Sequence, residues 1–209
     1  MKAFWKYALI ILGALAIDQA SKLLIHYYMV PGQEIDVLGD WFRLHYVENP
    51  GMSFGVVLGG VYGKLILTSA RILAIGFLIA YAYRLTQRRA HPGLILSITL
   101  VIAGALGNAF DSIFYGVLLD NATHGALTPW FHGQVVDMFY FPIAEGQYPN
   151  WVPGLGGSTF RFFRHIFNVA DAFIFCGVVI ILARQRTFFF KELPETQTAG
   201  HPVEHPAAE

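Results

Sequence analysis

The chain is 209 residues long, 55% hydrophobic and only 13% charged, with a formal net charge of zero. Soluble domains carry about 25% charged residues, so this composition excludes an ordinary water-soluble domain, and a neutral chain has no overall field with which to recruit nucleic acid. A single cysteine, Cys176, set in an apolar run, excludes an intrachain disulfide framework and a cysteine-based zinc site.

The first apolar stretch runs from Phe4 to Tyr27 behind Lys2 and Lys6, close to the roughly 20 residues that cross hydrocarbon. Its basic start is leader-like, but Lys22 is followed by further apolar sequence, so the segment is expected to be retained. Asp18 and Lys22 stand four apart on it, a spacing that lets a helix neutralise its own charge. Beyond it, Phe42, Leu44 and Tyr46 alternate with Trp41, Arg43 and His45, which predicts a half-buried strand. Asn49-Pro50-Gly51 then predicts a turn. The run Gly59–Lys64 is one residue short of a phosphate loop, and Leu65 stands where Ser or Thr is needed.

A second span is predicted over Leu65–Leu85, with Arg71 about 9 Å inside its end at 1.5 Å per residue. That arginine either snorkels to the interface or faces other polar groups. Arg84, Arg88 and Arg89 fill the short connection to a third span, Leu94–Ile113, which carries Asn108 and Asp111 three apart. Gly59, Gly63, Gly104 and Gly107 predict close backbone approach. The long segment that follows holds Asp137 in GQVVDMFYF, then a Gly-, Pro- and aromatic-rich stretch at Tyr148–Thr159 that reads as a surface loop. Trp130, Tyr148 and Trp151 are its candidate interfacial anchors. A fourth span is predicted over Phe167–Ala183, with Asn168 and Asp171 on one helix face, followed by Arg184, Arg186 and Lys191.

With four spans, the basic clusters all fall on one side, so both termini are expected in the cytoplasm and the two long segments outside. Residues 1–193 are expected to form a single membrane-embedded domain. Residues 194–209, without apolar periodicity, are expected to be disordered.

Asp137 and Asp171 are the anomaly in this pattern. A carboxylate in hydrocarbon costs roughly 2.5–3.5 kcal/mol on insertion scales and marks a functional site by default. The structural alternative is polar fastening between helices, worth about 0.6–2 kcal/mol per bond. It suits Asp18–Lys22 better than the two aspartates that have no basic residue at helical spacing. Two aspartates can hydrolyse a peptide by sharing one proton, since adjacent carboxylates cannot both ionise easily. Zinc chemistry through HExxH is absent from the sequence, and Ser21 beside Lys22 cannot form a Ser/Lys dyad, because adjacent helical residues do not face each other. No metal or cofactor is called for. The competing reading is a proton-coupled transporter, whose carboxylates would lie near the midplane on repeated halves; no repeat is visible here.

Five stretches, taken together and in order, resemble the bacterial lipoprotein signal peptidase (type II signal peptidase) family. They are Asp18-Gln19-Ala20-Ser21-Lys22, Glu48-Asn49-Pro50-Gly51-Met52-Ser53-Phe54-Gly55, Gly104-Ala105-Leu106-Gly107-Asn108-Ala109-Phe110-Asp111, Val135-Val136-Asp137-Met138-Phe139 and Phe167-Asn168-Val169-Ala170-Asp171. The resemblance implies a mainly α integral membrane protein of the bacterial inner membrane, with four transmembrane helices, a small extracytoplasmic β-sheet and a short surface helix. It implies an aspartyl endopeptidase with Asp137 and Asp171 as the catalytic dyad and Asp18, Asn49, Asn108 and Asn168 as supporting or substrate-positioning residues; Lys22, Asp111 and Arg71, polar groups of the spans themselves, are further supporting candidates. The implied partners are diacylglyceryl-modified prolipoproteins, membrane lipid and globomycin-like inhibitors, with the enzyme a monomer. This chain departs from the family pattern at Ser112, where an arginine is usual; Arg71, Arg161 or Arg164 is expected to supply that cation. The Asp137–Asp171 connection is also long for the family, and Tyr148–Thr159 reads as an insertion over the site.

Overall fold

The computed structural model describes residues 2–50, 62–142, 144–162 and 165–189. Its elements in chain order are α1 (Lys2–Tyr28), β1 (Glu34–Leu38), β2 (Phe42–Asn49), α2 (Gly63–Gln87), α3 (Pro92–Leu118), β3 (Val135–Tyr140), β4 (Ala144–Gln147), β5 (Thr159–Phe162), β6 (Ile166–Phe167), α4 (Val169–Ala183) and α5 (Gln185–Phe189). Gly51 of the predicted turn, most of the Glu48–Gly55 motif, Gly59, Arg164 and the tail lie outside the described residues.

Helices α1, α2 and α3 are each long and apolar enough to cross a bilayer. The fourth is shorter than predicted. Ile166 and Phe167 are taken by a strand, so α4 starts at Val169 and has 15 residues, or about 22 Å against about 30 Å of hydrocarbon. Backbone bonds from Arg184 to Ile180 and from Phe188 to Arg184 carry the helical ladder onward into α5. Exposed apolar side chains, including Leu73 and Phe77 on α2 and Phe175 on α4, are what a lipid-facing surface requires. Cys176 is exposed on the same helix.

The third helix is the centre of the bundle, packing against α1, α2 and α4. Gly104 and Gly107 make this possible. A side chain at Gly104 would strike the Ala170 carbonyl, and one at Gly107 would strike the Asp18 carboxylate. Leu94, Ile98 and Ile102 of α3 form a buried apolar cluster with Ile11, Leu78 and Ile181 from the neighbouring helices.

The strands form a four-stranded antiparallel sheet in the order β1-β2-β3-β6. The predicted strand near Trp41–Tyr46 is β2, extended to Asn49. One edge, β1, is fully exposed and charged; its Asp36 and Glu34 meet Arg43 and His45 of β2 at 2.8 and 2.9 Å, which discourages edge-to-edge pairing. Central β3 has Val135, Val136, Asp137 and Met138 all buried, because it lies between β2 and β6 and against the helix ends. Ile25, Met29, Tyr46, Tyr115, Val136 and Met138 are the core that joins sheet to bundle. From Tyr148 to Ser158 the chain is the turn-rich loop that the sequence predicts. Its flanks pair as the antiparallel hairpin β4–β5, closed by mutual backbone bonds between Tyr148 and Ser158 or Gly157. Its tip exposes Trp151.

Candidate active site

Sheet and bundle meet at Asn168. Its spacing from Asp171 predicts a shared helix face, but the structure makes it the N-cap of α4, in extended backbone between β6 and the helix. Its Oδ1 accepts from the Asp171 backbone N–H at 3.0 Å, and its own N–H donates to Asp171 Oδ2 at 3.2 Å. This is a reciprocal capping box. The three-residue spacing therefore serves a helix start, and Asp171 benefits further from the positive end of the helix dipole.

The Asn168 side-chain amide faces the sheet. Its Nδ2 donates to Asp137 Oδ1 at 2.6 Å and to Asn108 Oδ1 at 3.2 Å. One residue thus holds both aspartates, 34 positions apart in the chain by their numbers. Pairing of Phe139 with Phe167 brings β3 to the start of α4. Register also explains the third amide. Val47 pairs with Asp137 and Asn49 with Val135, so Asn49 is the diagonal same-face neighbour of Asp137, and its Nδ2 donates to Asp137 Oδ2 at 2.9 Å. On the helix side, Asn108 Nδ2 donates to Asp171 Oδ1 at 2.8 Å. Every carboxylate oxygen of the pair accepts one donor, which fixes both groups and leaves each oxygen a second lone pair.

Asp137 is 2% exposed. Burial pushes its carboxyl up to about 7, and the neighbouring charge of Asp171 acts the same way. The amide bonds from Asn49 and Asn168 and the charge of Lys22 oppose that rise.

Behind this pair lies a second, fully buried layer. Lys22 Nζ sits 2.8 Å from Asp18 Oδ2 and 2.6 Å from Asp111 Oδ2, so the predicted pair within α1 is a shared bridge to α3. Lys22 also donates to Asn108 Oδ1 at 3.1 Å, which turns the other end of that amide toward Asp171. Asp18 Oδ1 accepts from the Ala170 backbone N–H at 2.8 Å, anchoring the first turn of α4 to α1. Gln19 completes the layer by donating to Asp18 Oδ2 at 3.0 Å and Asp111 Oδ1 at 2.9 Å. Ser21 donates to the Asp18 carbonyl and does not engage Lys22.

Arg71 does not simply snorkel away. Its Nη1 donates to Ser112 Oγ at 3.0 Å, and its guanidinium lies in the field of Asp171, Asp111 and Asp137. Of the other two candidate cations, Arg161 is on β5 opposite Glu145, and Arg164 lies outside the described residues. Sequence reasoning missed Gln19, Lys64 and the capping box. Only the last had a local signal, Asn-x-x-Asp before an apolar run.

The family model described as "Signal peptidase (SPase) II" matches residues 10–187. Among curated proteins, the "Lipoprotein signal peptidase" of Porphyromonas gingivalis is 45% identical over 186 residues, covering 84% of this chain and 80% of that protein. The protein of the same name from Amoebophilus asiaticus is 41% identical over 188 residues, covering 88% and 79%. A solved "Bacterial membrane enzyme structure by the in meso method at 1.9 A resolution" aligns with a TM-score of 0.57 and 25% identity, over 86% of this chain and 92% of that one.

Proposed function

This chain belongs to the signal peptidase II family, and on that premise we propose that it is an aspartyl endopeptidase acting through Asp137 and Asp171. It is a multi-pass membrane protein. Its substrate on this reading is a prolipoprotein, cut on the amino side of a diacylglyceryl-modified cysteine. The observation that carries the reading is the attachment of both carboxylates to Asn168.

The chemistry follows from one shared proton. Asp137 and Asp171 are held by neutral donors, so one proton shared between them relieves their mutual repulsion. Lys22 bridges Asp18 and Asp111, whereas among the described residues no such cation stands between Asp137 and Asp171, so the shared proton falls to the dyad. The ionised carboxyl draws a proton from water as the oxygen attacks the scissile carbonyl, while the protonated carboxyl donates to the carbonyl oxygen. Collapse breaks the C–N bond and protonates the departing amine, and the dyad returns with one proton. The proton belongs to the pair rather than to one residue.

Asn49, Asn108 and Asn168 orient the dyad; Asp18, Lys22 and Asp111 hold Asn108 and the start of α4; Arg71, joined to Ser112, supplies the cation beside the substrate path. The Lys and Arg clusters lie at the helix ends far from the dyad, which supports cytoplasmic termini and a site near the outer face of the inner membrane. A cysteine held at that interface by its acyl chains would meet the site without its peptide crossing the hydrocarbon. Family membership supports inhibition by globomycin, and we take the enzyme to act as a monomer. The test is cleavage of a diacylglyceryl-modified prolipoprotein by the purified chain with and without globomycin. No processing, or processing indifferent to Asp137→Asn, would remove this assignment.

A further inference from the structure

Lys64 has no task in the chemistry above. It is the second residue of α2 and is only 8% exposed. A cation there opposes the helix dipole, so helix stability does not explain it. Among the described residues no carboxylate lies within ion-pair distance of its amine. An ionisable side chain placed in a membrane helix at this cost marks function.

What Lys64 holds is specific. Its Nζ donates to the Pro50 carbonyl at 2.9 Å and to Ser112 Oγ at 3.3 Å. Pro50 directly follows Asn49, the residue whose amide donates to Asp137. Ser112 is fully buried on α3 and is itself pinned, donating to the Asn108 carbonyl at 3.0 Å and accepting from Arg71. Lys64 is therefore a strut between the end of β2 and α3. Proline lacks an N–H and fixes its own φ, so a hold on the Pro50 carbonyl restrains the adjoining Asn49 backbone as well.

We propose that Lys64 is a positioning residue: by tying the Pro50 carbonyl to Ser112 it fixes the Asn49 amide on Asp137 and acts on the dyad through Asn49. The inference rests on the dyad reading. It accounts for a buried amine with two neutral acceptors, where a merely structural lysine would be expected to pair with a carboxylate.

The experiment is a double-mutant cycle on the purified full chain, using Lys64→Met, Asn49→Ala and the pair, with a diacylglyceryl-modified prolipoprotein as substrate. The expected result for Lys64→Met is a roughly tenfold fall in kcat, with KM changed less than about twofold. Its alkaline limb should move to higher pH, as in Asn49→Ala, because both lose the amide bond that favours the ionised Asp137. The double variant should be no worse than Asn49→Ala alone. The other charges acting on Asp137 are Asp171 of α4, Lys22 of α1 and Arg71 of α2. Asp18 and Asp111 lie behind Lys22, and Glu48 of β2 is bonded to Tyr46; all are unchanged in every variant. Lys64→Arg, which keeps the donor and charge, should recover most activity. Additive losses, or a Lys64→Met enzyme with parental kcat and pH profile, would overturn the proposal. If Lys64→Met does not fold, Lys64→Gln takes its place in the same cycle. Asp137→Asn separates the premises: if it cleaves normally, the dyad reading fails, whereas if it is inactive and the cycle is additive, only the Lys64 proposal falls.

Discussion

Two pairs of aspartates lie one layer apart in this molecule and are built in opposite ways. Asp18 and Asp111 share Lys22, at 2.8 and 2.6 Å. Asp137 and Asp171 share Asn168, a neutral amide and backbone N–H. A cation between two carboxylates lets both ionise, and the result is a fastened, chemically quiet joint. Neutral amides orient two carboxylates without removing their mutual repulsion, so the pair retains its demand for one proton. What separates a strut from a candidate catalyst is the group placed between the acids, a cation in one pair and a neutral residue in the other.

The comparison breaks first at the dyad. Asp137→Asn and Asp171→Asn should each lower cleavage by at least about 10³-fold while the protein still folds, because an amide neither takes a proton from water nor passes one on. Steady-state cleavage beside thermal unfolding checks both halves. If Asp111→Asn silences a folded enzyme and Asp137→Asn does not, the two layers have been assigned the wrong way round.

The cation is the next target. Lys22→Met should unfold the protein more readily, by about 3–5 kcal/mol, because it strands two buried carboxylates and frees Asn108 from its anchor. Replacing Asp18 and Lys22 together by apolar residues of similar size should recover part of that loss, as it often does for buried pairs. Unfolding in a fixed detergent resolves the difference; equal losses in the single and double variants would mean that Lys22 acts on something other than Asp18.

How far this could be read from the chain depends on the range of each interaction. Three helices were legible because hydrophobicity over some 20 residues is a local property. Asp137 and Asp171 stood out as candidates because a carboxylate in an apolar run is conspicuous by itself, whereas their joining through Asn168 has no local signal. The predicted fourth span starts two residues early, at Phe167, because that residue is as apolar as the helix it precedes; only pairing with Phe139 makes it part of a strand. The loop at Tyr148–Thr159 was legible, but the strands that flank it were not, because AEGQ and TFRF are four residues each and give too short a run for alternation to register. Lys64 was visible only as the end of a failed phosphate loop. Its contact with Ser112 spans 48 positions, and no local pattern encodes that. Ser112 itself drew notice as a departure from a resemblance, and its partners, Lys64 and Arg71, are both cations from α2.

A smaller effect should follow at Asn168, which belongs to both aspartates at once. Asn168→Ala removes the cap of α4, worth about 1 kcal/mol, and the donors to Asp137 and Asn108. Asn168→Asp keeps a capping oxygen but sets a third carboxylate between two. If the amide's neutrality matters, the aspartate variant should retain more stability toward α4 than alanine and yet lose more activity. Equal activity in the two would mean that Asn168 serves only the helix.

The finest test is the pH profile, where the difference between the pairs should appear as a shift rather than a loss. The Asp137 carboxyl stands at about 7 through burial and the charge of Asp171. Raising pH through that value strips the shared proton, so cleavage should decline on the alkaline side near 7. Asn49 donates to the carboxylate and favours its ionised form. Asn49→Ala therefore raises the proton affinity of Asp137 and should carry the alkaline limb to higher pH, with at most a several-fold change at the optimum. An added negative charge near Lys22 should carry the limb upward too, but by less, because Lys22 acts on Asp137 more weakly than the Asn49 amide does. A limb that moves down in Asn49→Ala would mean that Asn49 steadies the protonated form, and that the neutral amides do more than orient.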